Sequence, residues 1–388
     1  MSASIPRIRL GAVLGINQTI SWGTTFYSPA VIARPVAATL HQSEFNILAA
    51  FSWALLVAGF CAPRVGRWID RHDGRTSLLV SIVVIAAGQA VLAEAPGLAM
   101  WCAGWTIIGV GMAMGLYDSA FATAAGLLGK EAGPTITGIT LVAGFASTVF
   151  WTLGAALIGW FQWRGLLLAY AGLMLLVNLP MVWLLVPRAP PRPARDSTAT
   201  AAPRSPEDKR AVLLLGCFFG LRWFITSAIA VHVLPLLGGL GLTRAEAVGV
   251  AALIGPGQVA GRVLEWTFGP RMDLLVRARL AALLFPLGVL LLLKGGVIAA
   301  IGFALLYGMS NGIMTINRGT LPLALFGPSG YAALLGWLAV PVLLGQAVAP
   351  ALSAPLVAAL PAVDVFLLCG AGAAAAVLFL LPLRMPSR

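Results

Sequence analysis

Three ionisable side chains stand deep inside otherwise apolar stretches of this 388-residue sequence: Asp118, within Gly115-Leu116-Tyr117-Asp118-Ser119-Ala120-Phe121, Arg222 and Arg318. A charge at the middle of a membrane helix costs roughly 2.5–3.5 kcal/mol on insertion scales, so such residues have a partner, a water-filled cavity or a task. Arg222 offers a planar fork of donors matched to a carboxylate and is the expected substrate contact. Asp118 has two competing roles: pairing with an arginine such as Arg318, or taking up a proton. Two cations against one anion make the interior net positive, which favours an anionic solute.

Polar side chains cluster near the start of the chain as well. Asn17, Ser21, Thr24 and Ser28 recur at spacings of four, three and four, flanked by Gln18 and Thr25, and mark one wet face of a helix. Trp22 and Tyr27 add aromatic surface to that helix, and Tyr117 stands beside Asp118. Asn311 lies two turns before Arg318 and on the same helical face, while Asn317 is rotated off it; each either binds substrate or bridges helices. The candidate binding and coupling residues are therefore Asp118, Arg222, Arg318, Asn17, Gln18, Ser21, Trp22, Tyr117 and Asn311.

The elements that must position these residues are set by composition. The chain is 60% apolar and 10% charged, with a mean hydropathy of +0.94, where an average soluble chain is roughly 25% charged. A water-soluble globule is excluded. Windows of about 20 residues predict spans at 10–33, 46–65, 77–95, 98–127, 134–161 and 165–186, then at 211–236, 245–267, 278–294, 296–325, 330–358 and 362–383. The first apolar run is too long for a cleavable leader and reads as a retained helix. The expected organisation is a six-helix bundle over 1–186, a Pro-rich charged connector over 187–210 and a second six-helix bundle over 211–388.

Placing both termini in the cytoplasm puts 19 of the 25 lysines and arginines on the inner side, four on the outer side (Arg34, Arg164, Arg244, Lys294) and two within helices. That asymmetry orients the chain and explains its net charge of +12 as a basic inner surface facing anionic lipid, without nucleic acid. The four cysteines lie in apolar runs without metal-ligand spacing and read as packing residues, and no cofactor or metal is expected.

Between the second and third spans the sequence reads Gly66-Arg67-Trp68-Ile69-Asp70-Arg71-His72-Asp73-Gly74-Arg75, and at the inner end of the eighth span it reads Gly261-Arg262-Val263-Leu264-Glu265. The offset of about half the chain is what a duplicated six-helix unit leaves behind. Gly66 suits close backbone approach, and Asp70 among Arg67, Arg71 and Arg75 suits a latch of charge-assisted hydrogen bonds.

This loop resembles the G-x-x-x-D-R-x-G-R-R signature of the major facilitator superfamily of secondary transporters, with one extra residue before Gly74 and Thr76 in place of the last basic residue. The resemblance implies an all-α membrane protein of twelve transmembrane helices in two pseudo-symmetric bundles, alternating access by rocking of the halves, and a cavity lined by helices 1, 4, 7 and 10. Asp118, Arg222 and Arg318 fall on helices 4, 7 and 10. It also implies gating roles for Gly66, Asp70, Arg71, Gly74, Arg75, Gly261, Arg262 and Glu265.

Within that family, drug–proton antiporters carry an arginine in helix 4, where this chain has Trp105, and a Gly-Pro pair in helix 5, where residues 134–161 hold only Pro134, at the start. Ser21 to Pro29 is faintly similar to the monocarboxylate and oxalate/formate porters. No nucleotide-binding lysine loop and no hydrolase or metalloprotease motif is present, so the expectation is not an enzyme but a carrier driven by a gradient. The expected function is movement of a small organic anion with protons by a monomer in a bacterial-type inner membrane. A drug or toxic-oxyanion efflux carrier is the alternative, and a non-transporting receptor on the same fold is a third.

Overall fold

A computed structural model describes residues 7–188 and 206–385. Among these every regular element is helical, because within hydrocarbon each backbone N–H and C=O must be satisfied inside its own segment. Most of the expected connector, residues 189–205, lies outside the described residues.

Among the described residues sixteen α-helices make up twelve spans. Span 1 comprises α1 (Arg7–Thr24) and α2 (Pro29–Thr39). Spans 2 and 3 are α3 (Glu44–Arg71) and α4 (Gly74–Ala93), and span 4 is α5 (Leu98–Gly115) with α6 (Tyr117–Leu128). Span 5 is α7 (Gly133–Ala143) and the first part of α8 (Ala146–Leu173), which turns at Gln162. Span 6 is the remainder of α8, a π-turn over Met174–Asn178 and α9 (Leu179–Leu185). Span 7 is α10 (Pro206–Gly239), so five residues assigned to the connector, 206–210, are already helical. Span 8 is α11 (Arg244–Ala252) with α12 (Ile254–Phe268). Spans 9 to 12 are α13 (Leu274–Leu292), α14 (Gly296–Phe326), α15 (Tyr331–Ala359) and α16 (Ala362–Leu378).

Two compact units emerge: Met1–Ala202 with Gly327–Val340, and Pro203–Phe326 with Pro341–Arg388. Their internal pairings repeat. Span 3 packs on spans 4 and 6 and span 2 on span 4 in the first unit; span 9 packs on spans 10 and 12 and span 8 on span 10 in the second. In the span 8–span 10 seam, a Cβ on Gly257, Gly261, Gly308 or Gly312 would come within 2.3–2.8 Å of a backbone carbonyl oxygen on the facing helix, so only glycine permits this approach.

Four spans expected to be continuous are interrupted; span 5 breaks at Gly144-Phe145, and the other three breaks each have a local reason. Span 1 breaks before Pro29, which has no N–H to donate, and there the Tyr27 N–H reaches back five residues to the Trp22 carbonyl at 3.1 Å. Span 8 breaks at Leu253, just ahead of Gly255-Pro256. Span 4 breaks at Leu116, whose φ −80° and ψ −166° are extended rather than helical.

Candidate functional site

In the first unit the site is built around the break in span 4. Ser119 N–H bonds the Leu116 carbonyl at 3.0 Å, so carbonyls just upstream lose their helical donors. Side chains replace them: Gln18 Nε2 donates to the Gly115 carbonyl at 2.8 Å, Ser77 Oγ to Met114 at 2.7 Å and Ser119 Oγ to Ala113 at 3.4 Å. Asp118 stands in the first turn of α6, where the positive end of the helix dipole favours a carboxylate.

The polar face of span 1 is not a wet stripe. Asn17, Gln18, Ser21, Thr24, Thr25 and Ser28 are all buried, and they knit span 1 to its neighbours. Asn17 donates to Asn178 at 3.1 Å and Gln18 to Asn17 at 2.9 Å. Asn178 donates to Ser21 at 3.4 Å, and Gln89 on span 3 donates to the Thr24 carbonyl at 3.0 Å. The reason is supply: the π-turn ending at Asn178 and the break at Leu116 present polar groups inside the bundle, and span 1 satisfies them. Asn178 and Gln89 were missed from the sequence; each is a lone amide in an apolar run, a signal no weaker than that of Asn17.

Trp22 links this seam to an aromatic cluster. Its indole N–H donates to Gln18 Oε1 at 3.2 Å, and its ring lies 5.0 Å from both Tyr117 and Phe26. Tyr117 in turn stacks on Phe121 at 5.3 Å. Tyr27 packs edge-on against Trp151.

In the second unit the site is Arg222. It is 1% exposed. Its Nη2 donates to Ser310 Oγ at 2.8 Å and Asn311 Oδ1 at 3.2 Å, and the guanidinium lies 5.3 Å from the Phe285 ring centre. Ser310 is locked, donating to the Ala281 carbonyl at 2.6 Å. Asn311 Oδ1 also accepts from Thr226 at 3.1 Å, and Tyr307 donates to the Thr226 carbonyl at 3.0 Å. Nε and Nη1 of Arg222 are buried with no hydrogen-bond partner among the described residues. Among the described residues its hydrogen-bond partners, Ser310 and Asn311, are both neutral.

Asn311, expected to share a face with Arg318, thus bonds to Arg222, and Ser310, Thr226 and Phe285 join the site without having been singled out. Arg318 is 6% exposed and sits 5.7 Å from the Trp223 ring. Asn317 beside it is fully buried, and neither atom of its amide is hydrogen-bonded among the described residues.

In the first unit the signature loop is tied to the start of α15. Asp70 accepts from the backbone N–H of Ala332 at 3.3 Å and Ala333 at 2.8 Å, so its carboxylate caps the first turn of α15. Gly66 makes this possible, since a Cβ there would lie 2.3 Å from the Ala332 carbonyl oxygen; one on Gly74 would lie 2.3 Å from Thr123 Oγ1. Arg75 donates to the Trp183 carbonyl at the end of α9 rather than to the loop, and Arg71 is exposed.

In the second copy Gly261 presses on Met309, Glu265 pairs with Arg277 on span 9, and buried Arg262 reaches Gln258 only at 3.5 Å. Arg279 on span 9 donates to the Leu380 carbonyl beyond span 12, as Arg75 on span 3 does at the end of span 6.

Comparison with known proteins agrees with this architecture. The sequence matches the family described as Major Facilitator Superfamily over residues 14–339. No curated protein sequence matches the chain. Among solved structures, the human organic anion transporter MFSD10 (TETRAN) is similar at TM-score 0.73 and 17% identity, covering 96% of this chain and 98% of that one. The proton:xylose symporter XylE, bound to 6-bromo-6-deoxy-D-glucose, is similar at 0.72 and 13%, covering 96% and 94%. The E. coli fucose:proton symporter FucP is similar at 0.73 and 16%, covering 95% and 97%. At these identities the likeness is one of fold. With the family match extending across both units, the chain belongs to the Major Facilitator Superfamily and is a multi-pass membrane transporter.

Proposed function

We propose that this protein moves a small organic anion across a membrane by alternating access, coupled to protons. Arg222 carries the reading: a buried guanidinium, midway along a membrane span, which among the described residues has neutral ligands alone and two nitrogens unbonded. A cation so placed is costly unless an anion completes it. Trp22 and Tyr117 supply aromatic surface, Asp118 at the head of α6 takes the coupling proton or an arginine partner, and Arg318 adds positive potential. Asn17, Gln18 and Ser21 hold the first unit's seam behind Trp22 and so set the site's shape rather than touch the solute. The bonds from the first turn of α15 to Asp70 are a latch that opens and re-forms during the cycle, with Gly261, Arg262 and Glu265 as its counterpart. A monomer in a bacterial-type inner membrane, both termini cytoplasmic, fits the distribution of basic residues. One structural neighbour is named an organic anion transporter and two are named proton symporters, which supports the reading without assigning a solute.

The test is uptake by proteoliposomes under an imposed pH gradient, with labelled monocarboxylates set against lipophilic cations. Carboxylate accumulation that disappears in Arg222→Gln is expected, and accumulation of cations alone would overturn the reading. The sign of the gradient required separates symport from an efflux antiporter.

A further inference from the structure

The hydrogen bonds of Arg222 are concentrated on a single nitrogen. A carboxylate grips a guanidinium through both oxygens at either of two edges, Nη1 with Nη2 or Nε with Nη2. Nη2 is common to both. In this structure its two hydrogens are committed, to Ser310 Oγ at 2.8 Å and to Asn311 Oδ1 at 3.2 Å. A two-pronged carboxylate therefore has to displace one of them.

The two ligands are not equally held. Ser310 is fully buried and anchored by its own 2.6 Å bond to the Ala281 carbonyl. Asn311 is only half-buried, makes the longer bond and shares the same oxygen with Thr226. Its Oδ1 occupies a place that one carboxylate oxygen would take, while Nε and Nη1 stay unbonded on either side. We propose that Asn311 is an internal surrogate ligand: its amide oxygen holds Arg222 in the empty carrier and is displaced by a single carboxylate group of the substrate. This rests on the reading of Arg222 as the anion anchor and sharpens it to a solute presenting a carboxylate.

The surrogate acts as a competitor, so removing it strengthens binding and charging it weakens binding. The probe is formate, the smallest carboxylate, titrated against purified protein and read as a saturable rise in Tm. In the native protein formate raises Tm, and in Arg222→Gln it does not. In Asn311→Ala the apparent Kd for formate falls, by up to about tenfold given the worth of one hydrogen bond to a charged group. In Asn311→Asp, whose carboxylate supplies the missing anion, Tm without formate rises and formate binding weakens by about tenfold or more. Asn311→Ser serves if the alanine variant is not monodisperse, with the same direction expected.

Weaker formate binding in both Asn311→Ala and Asn311→Asp, or unchanged binding in Asn311→Asp, overturns the surrogate while leaving the anchor standing. A native protein indifferent to formate, or an Arg222→Gln protein that still responds, overturns the anchor itself.

Discussion

Arg222 and Ser310 lie 88 residues apart in sequence and 2.8 Å apart in the fold, joined by a hydrogen bond that continues from the Ser310 hydroxyl to the Ala281 carbonyl. Spans 7, 10 and 9 thus meet at one buried cation with no counter-charge bonded to it among the described residues. Such a cation is a burden on folding that function retains. Arg222→Met keeps the length of the side chain and removes the desolvation cost. The expected result is a protein more stable by about 1–3 kcal/mol, after allowing for the donors lost to Ser310 and Asn311, and inactive in transport. Thermal unfolding in detergent and uptake in proteoliposomes check the two halves; a destabilised Arg222→Met protein would show that the guanidinium is a structural bridge instead.

Asp70 gives a second prediction. Its carboxylate accepts from two consecutive N–H groups at the start of α15, an arrangement in which charge and helix dipole act together, worth roughly 1–2 kcal/mol. Asp70→Asn retains one acceptor oxygen and loses the charge. Insertion and expression should be unchanged, because the loop lies at the end of a span, while the initial rate of uptake falls by about tenfold. Native rates in Asp70→Asn would end the latch proposal.

Hydropathy was enough to place the twelve spans, since each must satisfy its own backbone in lipid and is long and apolar for that reason. Partners were less legible. Asp70 suggested its neighbouring arginines, but two of its acceptor bonds go to Ala332 and Ala333, 262 and 263 residues away. Nothing local encodes that contact except Gly66, whose missing side chain leaves room for it. Asn17 and Ser21 had the spacing of a wet face, and burial turned that face inward because Asn178 and Gln89 needed partners. The break at Leu116 has no proline to announce it; it is held open by Gln18 and Ser77 from other spans. Arg222 was found as a charge out of place, but its neutral ligands depend on which faces of spans 7 and 10 meet.

The glycines of the first unit separate close approach from mere helix composition. At Gly66 an added methyl group meets the Ala332 carbonyl oxygen at 2.3 Å, and that oxygen belongs to rigid backbone. Gly66→Ala should destabilise by roughly 1–3 kcal/mol as an overpacked contact and reduce uptake with it. Gly159, on the same unit, meets nothing within 4 Å, so Gly159→Ala should stabilise its helix by about 0.5–1 kcal/mol and leave uptake alone. Equal Tm values for the two variants would mean that the span 2–α15 approach is looser than its geometry.

The break in span 4 makes Gln18 the most exacting position in the first unit. Its amide nitrogen donates to the Gly115 carbonyl at 2.8 Å and to Asn17 at 2.9 Å, while its oxygen accepts from Trp22 at 3.2 Å. Gln18→Met fills the same volume and satisfies none of them. The Gly115 carbonyl is then buried without a donor, at a cost of about 1–3 kcal/mol, and the Trp22 indole loses the bond that fixes its plane beside Tyr117. Gln18→Glu keeps an acceptor for Trp22 but opposes the Gly115 carbonyl with an oxygen, so protonation of the new carboxyl is needed to restore that bond. Uptake by Gln18→Glu should therefore recover toward acid pH where Gln18→Met does not. Identical pH profiles for the two variants would mean that the Gly115 carbonyl does not depend on Gln18, and that another group keeps span 4 open ahead of Asp118.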